Sequence, residues 1–260
     1  LNTPTRPSPA DKPLPPPGLH LLALESRAPF EALATLALWP FLTQGASGDG
    51  HTVLVFPGLA ASGSSTRLLR HFLRRRGYDA RCWELGWNLG PRPGVIDACL
   101  QRVADLRRES GSKISLVGWS LGGVYARELA KLAPDDVRLV ISLGSPFTGH
   151  PKASNAWRVY ELLSGRTAGD AASTLHLRQA PPVPTTSIYT RTDGIVNWQC
   201  SIQEPGGCCE NIAVPASHVG LGMNPAVLAA IADRLAQPEA GWRPFEPHGL
   251  WGWAYETETA

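Results

Sequence analysis

The run Gly118-Trp119-Ser120-Leu121-Gly122-Gly123 separates a β-branched apolar segment from an amphipathic helical pattern. In that context a Gly-x-Ser-x-Gly match places a serine on a sharp strand-to-helix turn, with its hydroxyl lifted clear of the sheet. Gly118 and Gly122 allow strand and helix to close around that turn. The helix N-terminus behind it offers unpaired N–H groups and a positive dipole end to a developing oxyanion. Ser120 is therefore expected to be a nucleophile for acyl chemistry, in a serine hydrolase or an acyltransferase.

A serine hydroxyl is a weak nucleophile. It needs a general base, and the base needs a carboxylate to orient it. Behind an elbow of this kind the partners follow in the order Ser, acid, His. Histidines stand at 20, 51, 71, 150, 176, 218 and 248. The first three precede Ser120, and those at 150 and 176 precede the best acid. That acid is Asp193, in Arg191-Thr192-Asp193-Gly194, just beyond the strand-like Ser187-Ile188-Tyr189. Glu128 lies on the helix after Ser120, Asp135 and Asp136 fall in a turn away from the reactive edge, and Glu204 and Glu210 flank a cysteine-rich loop. His218, in Ser217-His218-Val219-Gly220, lies between the last strand and the final helix, where its ring can swing over the serine. His248 also satisfies the order, but it follows the final helix in an aromatic tail. The oxyanion donors are expected at the backbone N–H groups of Leu121 and Leu59, the latter in Phe56-Pro57-Gly58-Leu59-Ala60. Trp119, Leu59 and Ala60 are the expected substrate contacts, suited to an apolar acyl group.

The elements that must position these groups alternate. Residues 1–18 are Pro-rich and read as an extended arm, and residues 19–260 as one domain. Residues 19–43 read as helices packed on the core through Leu21, Leu22, Leu24, Phe30, Leu33, Leu36, Ala37 and Phe41, interrupted by Pro29 and Pro40. From residue 52 onward strands are expected at 52–56, 78–83, 113–117, 137–143, 185–189 and 212–214. Helices fall between them, with a last one at 225–235 opened by Pro225. Such alternation implies a mainly parallel sheet with helices on both faces, an α/β fold. The stretch at about 146–184 carries Trp157, Tyr160, Leu162, Leu163, Leu175 and Leu177 without a clear strand, and reads as a small cap or lid over the site.

Bulk properties narrow the class. At 260 residues the chain is long enough for one well-buried core, and 43% apolar with 18% charged residues suits a globular protein. A formal net charge of +2 gives no footprint for nucleic acid. No apolar run is long enough for a transmembrane helix. The chain opens Leu1-Asn2-Thr3-Pro4 and shows no secretory signal, so the expectation leans to the cytoplasm. Cys82 and Cys99 read as small buried residues, and Cys200 could bridge to Cys208 or Cys209. The cysteine trio lacks histidines at finger-like spacing, so neither a metal nor another cofactor is expected. The N-terminal helices and the aromatic tail (Trp242, Phe245, Trp251, Trp253, Tyr255) are read as packed on the domain, a homodimer or lipid-surface contact through either being the alternative.

Over residues 50–236 the chain resembles the α/β-hydrolase superfamily, particularly its bacterial lipases and esterases. The resemblance rests on Phe56-Pro57-Gly58-Leu59, Gly118-Trp119-Ser120-Leu121-Gly122-Gly123, Leu143-Gly144-Ser145-Pro146, Asp193-Gly194-Ile195-Val196 and Ser217-His218. It implies an α/β-hydrolase fold, nucleophile Ser120, acid Asp193, base His218 and oxyanion donors Leu59 and Leu121. It also implies hydrolysis of short- to medium-chain acyl esters, the substrate being a small-molecule or lipid-like ester. Trp119 before the serine is similar to the elbow of cutinase-like polyester hydrolases, from which the chain departs in its insertion after Pro146 and its long C-terminal tail. Transfer of the acyl group to an alcohol, polyester cleavage and a catalytically silent binding scaffold are the alternatives.

Overall fold

A computed structural model describes residues 14–44, 48–149, 151–165, 177–204, 206–247 and 249–257. The central element is a seven-stranded sheet: β1 (Thr52–Phe56), β2 (Asp79–Cys82), β3 (Ile114–Trp119), β4 (Val137–Leu143), β5 (Thr185–Tyr189), β6 (Cys209–Ala213) and β7 (Glu256–Thr257). Its order is β2-β1-β3-β4-β5-β6-β7, parallel throughout except that β7 runs antiparallel against β6.

The inner strands are apolar on both faces because helices cover both. Val53 and Val55 of β1 join one core cluster, while Leu54 and Phe56 join the other, the period-2 alternation of a strand. On the first face lie α3 (Arg67–Arg75) and the late helix α7 (Pro225–Leu235); on the second lie α4 (Val95–Ser110) and α5 (Leu121–Leu132). Local signals set the ends. Gly111 closes α4 in a left-handed conformation, and Asn224 caps α7 by accepting from the Ala226 N–H at 2.9 Å, with Pro225 in its first turn. After β1 the chain passes to one face, and after β3 to the other. That divergence opens a crevice at the carboxyl ends of β1 and β3, where sheets of this order bind ligands.

Two departures from the sequence reading stand out. The C-terminal tail supplies β7, which was not expected; Phe245 and Tyr255 pack edge-to-face at 4.8 Å, both buried, while Trp253 is exposed. The second departure concerns α1 (Leu19–Leu24) and α2 (Ala28–Leu42). Phe30, Leu33, Leu36 and Phe41 were read as core residues, yet each is more than half exposed, and α2 buries Ala28, Thr35 and Leu42 instead. Apolar residues surround α2, so hydrophobicity selects no face. Polar contacts decide its docking, among them Thr35 Oγ1 donating to the Met223 carbonyl at 2.5 Å. The stretch expected to form a cap contains α6 (Trp157–Ser164), whose Leu163 carbonyl accepts from Arg92 at 2.8 Å; residues 150 and 166–176 of that stretch, and 1–13 of the arm, lie outside the described residues. Among the described residues no helix is long and apolar enough to cross a membrane.

This docking has a direct consequence for stability. Thr35→Val should lower the unfolding free energy by about 1–2 kcal/mol by orphaning the Met223 carbonyl. Leu33→Gln should change it by no more than about 0.5 kcal/mol. Urea unfolding of both variants checks the contrast.

Candidate active site

Ser120 sits between β3 and α5 with φ +53° and ψ −121°, a backbone that only a few non-glycine residues adopt. Steric demand explains its neighbours. A Cβ at Gly118 would lie 2.3 Å from the Gly122 carbonyl carbon, one at Gly122 2.6 Å from the Phe56 carbonyl oxygen, and one at Gly123 2.0 Å from Ser145 Oγ. Strand and helix therefore meet backbone to backbone, with the Ser145 hydroxyl of the loop after β4 against Gly123, and the turn is held in place by the Ser120 N–H donating to the Leu143 carbonyl at 2.7 Å. The hydroxyl sits at a partly exposed position.

The loop after β1 lies directly over this turn, since a Cβ at Gly58 would meet Ser120 Cβ at 3.4 Å. Among the described residues the N–H groups of Leu59 and Leu121 donate to no protein acceptor, whereas that of Ala60 is committed to the Asn88 carbonyl at 2.8 Å. Asn88, which the sequence reading missed, braces the loop. It is fully buried, its Nδ2 donates to the Pro57 carbonyl at 2.9 Å, and its Oδ1 accepts from the Gly90 N–H at 3.2 Å and from Tyr125 Oη at 3.3 Å. A lone Asn in Trp87-Asn88-Leu89 carries no signal of that role, because its distant partners, Pro57 and Tyr125, come from two other segments.

Asp193 and His218, from the loops after β5 and β6, meet at the same edge. Asp193 Oδ2 lies 2.6 Å from His218 Nδ1, with both side chains almost fully buried. The other oxygen, Oδ1, accepts from the N–H groups of Ile195 at 2.9 Å and Val196 at 2.7 Å, which fixes the orientation of the carboxylate. Gly144, at φ +55°, leaves room for the pair: a Cβ there would lie 3.1 Å from His218 Nδ1 and 2.6 Å from Leu221. Burial alone pushes the imidazole pKa down, but the charge and hydrogen bond of Asp193, with the nearby Glu25 charge, outweigh it and hold His218 above its ordinary 6.5. Trp119 Nε1 donates to the His218 carbonyl at 3.0 Å, and its ring centroid lies 6.4 Å from the imidazole. Of the expected substrate contacts, Trp119 thus braces the His218 loop, while Leu59 is half-buried and Ala60 exposed. No hydrogen bond joins Ser120 Oγ to His218 Nε2 among the described residues. Such a contact often tightens only around substrate.

A second Ser–His–Asp arrangement lies at the opposite end of the sheet. His51 contacts Asp49 at 2.5 Å through Nδ1 and Ser115 Oγ at 2.8 Å through Nε2. Ser115 lies inside β3 and is fully buried, and no turn lifts its hydroxyl from the sheet. Burial lowers the His51 pKa, against the rise at His218. His248 lies outside the described residues. All five cysteines are free thiols, so no bridge joins Cys200 to Cys208 or Cys209. No group of three His, Cys, Asp or Glu side chains among the described residues could hold a metal ion.

No protein-family model matches the chain, and no curated protein does. Solved structures do. Lipase B of Aspergillus fumigatus superposes with a TM-score of 0.56 at 18% identity, over 72% of this chain and 53% of that one. The present chain thus spans about half the length of that lipase. A metagenome-derived lipolytic enzyme gives 0.55 at 16% identity over 73% and 93% of the two chains. A monoacylglycerol lipase of Paleococcus ferrophilus gives 0.52 at 17% over 74% and 96%. The chain has the α/β-hydrolase fold. Within an α/β-hydrolase sheet, the Ser120 turn, the Leu59 loop, Asp193 and His218 all lie at the carboxyl ends of strands, the edge at which such sheets bind ligands.

Gly118→Ala should destabilise the chain by about 3 kcal/mol or more, because the clash is with backbone; thermal unfolding or soluble yield reads this. The His218 imidazole should titrate above 6.5 and that of His51 below it, as NMR of labelled histidines would record. Because the folded chain holds the His218 proton more tightly, its pairing stabilises fully below 6.5 and loses that contribution as pH rises through the folded value.

Proposed function

We propose that this chain is a serine carboxylic-ester hydrolase acting through an acyl-enzyme. The observation that carries the reading is the buried 2.6 Å Asp193–His218 pair at the sheet edge where Ser120 occupies its left-handed turn. In this reading Ser120 Oγ attacks the ester carbonyl carbon while His218 Nε2 takes its proton. The N–H groups of Leu59 and Leu121 receive the oxyanion, at the head of α5 where the helix dipole favours negative charge. His218 then protonates the leaving alcohol, and water, activated by the same imidazole, cleaves the acyl-enzyme. Asp193 holds the tautomer that leaves Nε2 free to accept, and offsets the charge of the imidazolium.

The acyl group is taken to be short to medium in length and apolar. Half-buried Leu59, Trp119 and Leu121 around the serine support this, and Trp87 stands exposed next to the Leu59 loop, bridged to Ser62 through its backbone. The lipolytic names of the structural neighbours point the same way.

A fluorophosphonate probe should label the chain at Ser120. Ser120→Ala should abolish labelling and lower ester turnover by about 10⁴–10⁶-fold. A variant that keeps near-parental turnover refutes the assignment. Since neutral His218 is the working form, kcat/KM should fall as pH drops, with its midpoint above 6.5. A p-nitrophenyl ester series run beside emulsified triglyceride, a polyester film and an alcohol acceptor separates the ester hydrolase from polyester hydrolase and acyltransferase.

A further inference from the structure

The corner between α1 and α2 is a single 3₁₀ turn, Glu25–Arg27, set before Pro29. It lies against the loops that carry Asp193 and His218. Glu25 Oε1 accepts from the Gly194 N–H at 2.8 Å and the His218 N–H at 3.0 Å, while Oε2 accepts from the Val219 N–H at 2.9 Å. One carboxylate thus joins the residue after the acid to the base itself. We propose that Glu25 is a positioning residue for the Asp193–His218 pair, a clamp that holds the acid and base loops in register from the N-terminal helices. This rests on the reading of His218 as the base of Ser120.

Three independent features support the clamp. The N–H groups of 217, 218 and 219 open the short 3₁₀ helix Val219–Gly222 and have no partners within that helix. Glu25 takes two of them, and Glu31 Oε1 takes the third, the Ser217 N–H, at 2.8 Å. Second, Gly194 has an ordinary φ, so its lack of a side chain answers to space rather than to a turn. A Cβ there would stand 2.4 Å from the Leu21 carbonyl oxygen, and one at Gly220 would stand 2.0 Å from Glu31 Oε2. Both loops are therefore trimmed to admit these helices. Third, Arg27 donates to Thr192 Oγ1 at 2.5 Å and to the Ala216 carbonyl, bridging the same two loops at positions just before those that Glu25 joins. The charged groups around His218 are Asp193 from the acid loop and Glu25 from the helical corner, with Glu31 and Arg27 paired beside them at 3.3 Å. The Glu25 charge adds to that of Asp193 in favouring the imidazolium.

The test is the rate of fluorophosphonate labelling at Ser120 of the full chain as a function of pH. A parent chain that is not labelled at Ser120, or is labelled without an acid limb, fails the underlying reading and is recognised before any Glu25 variant is made. Glu25→Gln keeps the size of the side chain, removes the charge and turns an NH₂ toward one of the three donors. Its plateau rate should fall about tenfold through misorientation of the base, and the acid midpoint should move down by about half a pH unit. Thr35→Val, which loosens α2 without touching Glu25, should leave the midpoint in place. A folded Glu25→Gln chain with parental plateau and midpoint overturns the proposal; so does Thr35→Val if it reproduces both changes. Where Glu25→Gln does not fold, Glu25→Asp keeps the charge but falls a methylene short. A lowered plateau with an unmoved midpoint then supports the clamp, and a parental plateau overturns it.

Discussion

The structure turns on a steric constraint, the close approach of β3, α5 and the loop after β4 around one left-handed residue. Ser120 can hold φ +53° because every neighbour that a side chain would push away is a glycine backed by backbone or a buried hydroxyl. The strain at that residue is over-determined by its surroundings. Three consequences follow from the same packing. The hydroxyl stands off the sheet, the Leu121 N–H at the head of α5 has no acceptor among the described residues, and the loop after β1 can lie against Ser120 Cβ. In the proposed reading, nucleophile and oxyanion cradle are thus aspects of one backbone arrangement.

Asp193 and His218 are held mainly by polar contacts, in space that glycines leave open. Each oxygen of Asp193 has its own task, one taking two backbone N–H groups and the other the imidazole. The N–H groups of Ser217, His218 and Val219 are satisfied from outside the α/β core, by Glu31 and Glu25 of the N-terminal segment. That accounts for the unusual burial of α2. A helix whose inward face carries the Glu31 carboxylate and the Thr35 hydroxyl, both serving other segments, leaves Phe30, Leu33 and Leu36 in solvent.

The His51–Asp49–Ser115 relay shows why residue types in hydrogen-bonding sequence do not make a site. Its distances rival those of the Asp193–His218 pair, yet Ser115 is in a buried strand interior and cannot reach a carbonyl carbon. Position at the carboxyl edge of a parallel sheet, beside free N–H donors, distinguishes the other set.

By itself the sequence determined the alternation of strands and helices, the turn at Ser120 and the order of Ser120, Asp193 and His218 along the chain. These are local or sequential properties, written in periodicity, in glycine placement and in the two residues on either side of the serine. Tertiary structure alone decided which face of α2 is buried, that the tail returns as β7, that Asn88 braces the Leu59 loop, and that Gly194 makes room for a helix rather than a turn. Each of those depends on partners 30 to 190 residues away in the chain, as with Asn88 and Pro57 or Glu25 and His218. The physical reason is that a hydrogen bond or a steric contact across such a distance leaves no period in the sequence, only an ordinary residue in an unremarked place.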